Sequence, residues 1–240
     1  MAVYACSDLH GMKNLLEQIM NFLQPDDKVY FLGDAADRGP HGWEMIKTII
    51  EDPRFVYIKG NHEDMLVRAA QDYFRTGAYT SNFSLLRSNG GKITFHDMTN
   101  DPDAKDWISM VRGMPTYEVY KNAAGQSIFL SHAGISAWKD EDNDLLIPEN
   151  EEDLIWDRTH YLDEWNPEEM HEKVIVVHGH TPIPYIMDDL RIRDTGDLIE
   201  AGPFWYCNNH KVCLDCAAFA TGAAFLLNLD TFEHTTFVQG

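Results

Sequence analysis

Positive charge is scarce in this chain. Its 240 residues carry 19 Lys and Arg against 39 Asp and Glu, a formal net charge of -20. Nucleic acid and anionic membrane surfaces both require a basic footprint, so the deficit argues against either as a main partner. It equally opposes an anionic substrate, so a phosphate site here has to bring its own local cations. Cysteine is sparse as well, at four residues. The opening Met1-Ala2-Val3-Tyr4-Ala5-Cys6 lacks the basic region and the apolar run of an export signal. The reading is of reduced thiols in a cytoplasmic protein. No stretch approaches the length of a membrane span, and there is no internal repeat or low-complexity tract. What is present is ordinary globular composition, 44% hydrophobic, in a length suited to a single domain over 1–240.

The first 75 residues alternate between two periodicities. Val3–Cys6, Lys28–Leu32 and Phe55–Ile58 are short apolar runs that read as strands. Between and after them, apolar residues at helical spacing mark Met12–Leu23, the stretch around Trp43, Ile46, Ile49 and Ile50, and that around Met65, Leu66, Ala69, Ala70 and Tyr73. Strands alternating with helices predict βαβ units and a parallel sheet. A mostly helical excursion is expected over about 77–114. Tyr117–Tyr120 and Ser127–Leu130 read as paired strands, and the acidic Asp140–Asp153 as a solvated loop. Val174–Val177, a continuous β-branched run, has the character of a strand buried on both faces. Arg191–Asp194, Leu198–Ala201, Lys211–Leu214, Ala223–Leu229 and Thr235–Val238 read as further short strands.

Polar residues gather just beyond five of these apolar runs. They are Ser7-Asp8-Leu9-His10-Gly11, Gly33-Asp34-Ala35-Ala36-Asp37-Arg38-Gly39, Lys59-Gly60-Asn61-His62-Glu63, Ser131-His132-Ala133-Gly134 and His178-Gly179-His180-Thr181. Ligands bind beyond the carboxyl ends of strands in open α/β sheets, so tips on neighbouring strands converge on one crevice. Imidazole with carboxylate and amide oxygen suits Mn, Fe or Zn better than a thiolate or all-oxygen site does. Taken alone, an Asp-x-His after a strand is usually a turn, and a lone His132 is usually a packed histidine. Five such tips in one chain are hard to obtain from turn chemistry.

SDLHG, GDAADRG, GNHE, HAG and GHT, in that order, resemble the phosphoprotein phosphatase family of calcineurin-like metallophosphoesterases, in its short bacterial and phage-type form. SNGG at 88–91 with Thr94, and LIWDR at 154–158, add to the resemblance. It implies an α/β fold of two mixed β-sheets sandwiched between helices (α/β/β/α), and two divalent or trivalent metal ions, manganese foremost, with iron and zinc as further candidates. Asp8 and His10 would hold the first ion, Asp34 would bridge, and Asn61, His132 and His180 would complete the second. The implied reaction is in-line attack by a bridging hydroxide, with no phosphoenzyme. His62 would protonate the leaving alkoxide, oriented by Asp37. Arg38, Arg158 and Asn61 would bind the substrate phosphate, the two arginines being the local cations that the acidic composition requires. The implied substrates are phosphoserine and phosphothreonine in proteins or peptides, with phosphotyrosine as an extension.

A symmetrical dinucleoside polyphosphate hydrolase on the same metal core is the alternative. Its second motif usually reads Asn-Arg where this chain has Asp37-Arg38, and its third ends in Asp where this chain has Glu63; both positions favour the phosphatase. A catalytically dead adaptor is disfavoured by the presence of Asp37, Arg38 and His62. Lys59 stands where many relatives carry Arg, so a bidentate grip is lost there. Pro182 stands where the wider superfamily often has one more His, so the first ion should be the more weakly held. Glu63 is expected to open a helix, His178 to pack behind His180, and Arg158 otherwise to pair with Asp153 or Glu152. Cys207, His210, Cys213 and Cys216 suggest a structural zinc, but Val212–Ala217 reads as a strand. His41, His96, His160, His171, His210 and His234 carry no signal of a role.

Overall fold

A computed structural model describes residues 1–136, 138–140, 146–162, 174–192 and 198–239. The alternating first part forms β1 (Val3–Cys6), α1 (Lys13–Phe22), β2 (Lys28–Phe31), α2 (Gly42–Glu51), β3 (Phe55–Tyr57) and α3 (Asn61–Thr76). Helices α4 (Ser81–Ser88), α5 (Lys92–Thr99) and α6 (Ala104–Arg112) occupy the stretch expected to be helical. There follow β4 (Tyr117–Lys121), β5 (Ser127–Ser131), β6 (Trp138–Asp140), β7 (Leu146–Pro148), α7 (Asp153–Trp156), β8 (Val174–His178) and α8 (Ile183–Asp189). The chain closes with α9 (Leu198–Ala201), β9 (Phe204–Tyr206), β10 (Lys211–Cys213), α10 (Ala218–Thr221), β11 (Ala223–Asn228) and β12 (His234–Val238).

The strands form two five-stranded mixed sheets, β12-β11-β1-β2-β3 and β4-β5-β8-β10-β9. In the first, β1 pairs in parallel with β2 and β2 with β3, while β11 and β12 complete it antiparallel. In the second, β8 lies parallel to both β5 and β10, flanked by antiparallel edges. Alternation along each strand decides which side chains meet. Val3, Ala5, Leu227, Ile128, Leu130, Ile175, Val177 and Val212 form the core between the sheets. The outer face of the first sheet packs on α1, α2, α3, α5 and α6 through residues such as Leu16, Ile46, Leu66, Phe95 and Ile108. Val174 and Val176 face the other way from Ile175 and Val177, so β8 is buried on both faces as its β-branched run suggests. The architecture is the expected α/β/β/α sandwich.

Four readings change. Val212–Ala217 is strand only as far as Cys213, and the chain leaves β10 there to reach Ala217 at φ 58°. Leu198–Ala201 is one turn of helix, closed by the Gly202 N–H donating to the Leu198 carbonyl at 3.2 Å with Gly202 at φ +79°; glycine alone enters that region without strain, and it stops the turn. The acidic stretch 140–153 contains strand β7, antiparallel to β6, and the start of α7, with 141–145 outside the described residues. Of Arg191–Asp194, Arg191 is a turn residue, Ile192 is irregular and 193–194 lie outside the described residues, as does His171.

One ion pair fastens the helical excursion to α2. Asp101 Oδ2 accepts from Lys47 Nζ at 2.6 Å and from Trp43 Nε1 at 2.9 Å, both on α2. The Lys47 hydrogen bond, against some burial, holds the Asp101 carboxyl below its ordinary pKa. A depressed carboxylate stabilises the fold above its unfolded pKa, about 3.9, and that increment disappears as pH falls through the folded value. Asp101→Asn should therefore lower stability by about 1–2 kcal/mol near neutrality, and the gap to wild type should narrow below pH ~4. Urea melts at pH 7 and pH 3 would test this; equal gaps at both would refute the charge assignment.

Candidate metal centre

Every strand-end motif delivers its side chains to one edge of the two sheets. Asp8 and His10 leave β1, Asp34, Asp37 and Arg38 leave β2, and Asn61 and His62 open α3 just after β3. His132 follows β5 and His180 follows β8. Alternating side chains on an extended strand would point these groups apart. The chain instead turns through left-handed backbone at Asp8, His10, Asp34, Asp37, Arg38 and His180, with φ between 46° and 69°. Such positions cost of order 1–3 kcal/mol each for non-glycine residues and persist only where surroundings enforce them. Two glycines let the backbone approach: a Cβ on Gly179 would collide with the Asp8 carboxylate and Ser7 Oγ, and one on Gly60 with Asp34 Oδ1.

The Asp34 carboxylate divides the site. Its Oδ1 lies 3.4 Å from His132 Nε2, while its Oδ2 lies 3.6 Å from His10 Nε2 and 3.8 Å from His62 Nε2. On the Oδ1 side, His132 Nε2 and His180 Nδ1 are 3.0 Å apart, and each is 3.0 Å from Asn61 Oδ1. Two donor groups result, His10–Asp34–His62 and Asp34–His132–His180, all buried. Backbone carbonyls fix two of the rings: His10 Nδ1 donates to Ala36 O at 2.9 Å and His132 Nδ1 to Leu32 O at 2.7 Å. That aims the Nε2 lone pair of each into the site. Asp8 accepts the His180 backbone N–H at 3.1 and 3.2 Å and stands 3.9 Å from His10 Nε2.

The donor chemistry fits metal ions. His10 Nε2, the lone pair aimed into the site, is buried without a hydrogen-bond partner among the described residues. Burial lowers the His10 pKa to about 3, which keeps its imidazole neutral as a ligand must be. Burial and the neighbouring Asp215 charge push the Asp8 carboxyl well up. Burial alone would lower the His132 pKa, but the charge and hydrogen bond of Asp34 raise it to about 9. Carboxylates gathered out of water demand positive charge beside them, and two metal ions would supply it.

Around these donors lies a layer of hydrogen-bonded groups. His62 Nδ1 bonds Asp37 Oδ2 at 2.7 Å, and both side chains are almost wholly buried. Burial alone would lower the His62 pKa; the Asp34 charge and the Asp37 bond outweigh it and raise it. Thr94 Oγ1 accepts the Asp37 N–H at 3.1 Å. Arg38 reaches His62, with Nη2 3.5 Å from Nε2, and has no carboxylate partner among the described residues. Arg158 is also without one: Nη1 donates to His180 O at 3.2 Å and Thr181 Oγ1 at 3.4 Å. The acids expected to compete for it are engaged elsewhere, Glu152 by Arg68 and Asp153 by Asn150. Lys59 donates to the Arg112 carbonyl at 3.5 Å.

Sequence reasoning undervalued several groups. Glu63 opens α3 as expected, but its carboxylate also collects the N–H groups of Asp34, Ala35, Ala36 and Gly60 at 2.8–3.3 Å. It thereby locks the Asp34 loop to the Asn61 loop. His178 is buried, with Nε2 2.8 Å from Tyr206 Oη, which in turn lies 3.0 Å from His160 Nε2. His160 therefore belongs to a buried network behind His180. Asp215, 1% exposed, lies just past β10, its Oδ1 accepting the Ala217 N–H at 2.8 Å. It obeys the same rule of polar tips after apolar runs that singles out the other five. Cys213 and Cys216 donate to the carbonyls of Thr181 and Ala223, and His210 Nδ1 to that of Val174.

Comparison with known proteins agrees with this geometry. The family model for calcineurin-like phosphoesterases matches residues 1–212. A symmetrical bis(5'-nucleosyl)-tetraphosphatase of Delftia acidovorans is 24% identical over 139 residues, 56% of this chain and 45% of that protein. Serine/threonine-protein phosphatase 2 of Escherichia coli is 29% identical over 112 residues, 45% of this chain and 46% of that protein. The matches thus span about half the length of these curated relatives. A protein serine/threonine phosphatase structure from Saccharomyces cerevisiae superposes with a TM-score of 0.60 at 14% identity, covering 100% of this chain and 80% of that one. No helix among the described residues is long and apolar enough to cross a membrane.

Proposed function

The chain belongs to the calcineurin-like phosphoesterase family, and on that premise we propose that it is a metal-dependent phosphomonoesterase acting on phosphoserine and phosphothreonine in proteins or peptides. Asp8, His10 and Asp34 would hold one ion and Asp34, Asn61, His132 and His180 the other. Bound there, the ions would supply Lewis-acid stabilisation of phosphoryl oxygens and an activated water. The protein's own groups do the rest. Arg38 and Arg158, whose forks have no carboxylate partner among the described residues, bind two or more phosphate oxygens. Asn61 holds the phosphate beside them. His62, kept protonated by Asp34 and Asp37, delivers a proton to the leaving oxygen.

The observation that carries this reading is the 2.7 Å bond between His62 and Asp37. A serine alkoxide is a poor leaving group and needs a proton in the transition state, for which a positioned acid contributes ~10²–10⁴-fold. A carboxylate at position 37 both orients the imidazole and raises its pKa; an amide there would only orient it. A nucleoside diphosphate leaves far more readily and has less need of such an acid.

The names of the Delftia relative and its like favour a second reading, hydrolysis of dinucleoside polyphosphates on the same core. Metal-reconstituted protein, assayed side by side on phosphoserine, phosphothreonine and phosphotyrosine peptides and on diadenosine tetraphosphate, separates the two. We expect kcat/KM for the phosphoserine peptide to exceed that for the dinucleotide by at least roughly tenfold. The reverse order would establish the nucleotide reading and overturn ours.

A further inference from the structure

Arg38 is exposed and stands on left-handed backbone, a poor footing for a residue that must present a flat fork in one direction. A long arginine in water surrenders considerable rotamer freedom when it is fixed. The structure contains an aromatic surface that restrains it. Arg38 Cζ lies 4.6 Å from the centroid of the Phe219 ring. The same ring meets the His10 ring edge-to-face, with centroids 5.9 Å apart and planes at 89°. Phe219 is 45% exposed, a conspicuous site for a large apolar side chain beside a buried polar centre.

Its placement is built into the backbone. Phe219 sits in the single-turn helix α10, which is bracketed by Ala217 at φ 58° and Gly222 at φ 66°. The Asp215 carboxylate receives the Ala217 N–H at 2.8 Å and fixes the entry to that turn. Arg38 itself is anchored by its backbone N–H on Gly90 O at 3.3 Å, and its Nη2 lies 3.5 Å from His62 Nε2. The guanidinium thus rests against an aromatic face beside the imidazole, with no carboxylate partner among the described residues.

We propose that Phe219 is a positioning residue for phosphate recognition: its ring holds the Arg38 guanidinium by a cation–π contact in the orientation that grips the substrate phosphate. This rests on the phosphate-binding role given to Arg38 above. Phe219 touches neither the reacting atoms nor the phosphate in this account. Its loss should weaken phosphate binding and leave the chemical step nearly intact.

The test uses the manganese-loaded 240-residue chain and inorganic phosphate as the probe, titrated by calorimetry, alongside steady-state hydrolysis of p-nitrophenyl phosphate. Phe219→Ala should raise the phosphate Kd and the KM on the order of tenfold, with kcat within about twofold of wild type. Phe219→Leu keeps apolar bulk without a π face and should behave like the alanine variant, whereas Phe219→Trp should restore binding. In an Arg38→Ala background, Phe219→Ala should add nothing further. Wild-type phosphate affinity in Phe219→Leu, or additive losses in the double variant, would overturn the proposal. Equal manganese content across the series, measured by atomic emission, shows that binding changes do not come from lost metal. If wild type binds phosphate through Arg38 yet hydrolyses no phosphomonoester, the proposed function fails while this inference stands. If Arg38→Ala leaves phosphate binding unchanged, the inference itself fails.

Discussion

Asp34→Asn should yield a folded protein that retains about one metal equivalent where wild type retains two, and whose turnover falls on the order of 10³-fold or more. The substitution is unusually selective. Asparagine tolerates left-handed backbone nearly as well as aspartate, so φ 61° at this position is preserved. Its amide oxygen also still accepts the His62 backbone N–H, which the Oδ1 of Asp34 receives at 3.1 Å. What changes is the second oxygen, the one that lies 3.6 Å from His10 Nε2 and 3.8 Å from His62 Nε2. An NH₂ group there cannot donate a lone pair to an ion. The half of the site containing His10 should therefore empty first. Metal analysis after gel filtration gives the count, and circular dichroism confirms the fold. A variant with two equivalents and full turnover would remove the bridging role from Asp34.

His62→Ala should divide substrates by their leaving group. Turnover of a phosphoserine peptide should drop ~10²–10⁴-fold, the amount a positioned acid supplies. Turnover of p-nitrophenyl phosphate, whose leaving group hardly needs a proton, should fall by less than about tenfold. Equal losses on both would sink the general-acid assignment. Asp37→Asn provides the finer measurement. The amide oxygen keeps a partner for His62 Nδ1, but the charge that helps raise the imidazole pKa is gone. An acid works only while protonated, so phosphoserine turnover is present below the His62 pKa and lost as pH rises through it. Lowering that pKa moves the alkaline limb of the profile to lower pH. No movement would mean that Asp37 orients the ring without tuning it.

Much of this was legible from strand ends. Asp8, His10, Asp34, Asn61, His132 and His180 share one edge because each follows an apolar run, and a sheet lines such run ends up. The same rule should have caught Asp215, which follows Lys211–Leu214. The neighbouring cysteines carry a competing zinc spacing, but the Sγ atoms of Cys213 and Cys216 are spent on backbone carbonyls. Other features lie beyond any local pattern. Glu63 grips the N–H groups of residues up to 29 positions away, and nothing in the sequence near residue 63 announces that. The His160–Tyr206–His178 chain joins residues that no periodicity relates. Leu198–Ala201 misled because four residues are too few for period two and period 3.6 to differ; the glycine after them decided the outcome.

The centre is also a seam. Asp8, His10, Asp34 and Asn61 come from the first sheet, whereas His132 and His180 come from the second. The His180 N–H that rests on Asp8 joins residues 172 positions apart, and its ring meets an Asn61 119 positions away. Contacts of such sequence separation form late, after the closure entropy of long loops has been met. A folding chain would thus own half a site as soon as β1, β2 and β3 had paired, and the whole of it only when the two sheets docked. Ion uptake by the Asn61–His132–His180 half would report the moment of docking. Any partial opening between the sheets would release that ion before either sheet lost its own hydrogen bonds. Retention of metal in denaturant should accordingly track the interface between the sheets, an early-warning signal that backbone spectroscopy would not see.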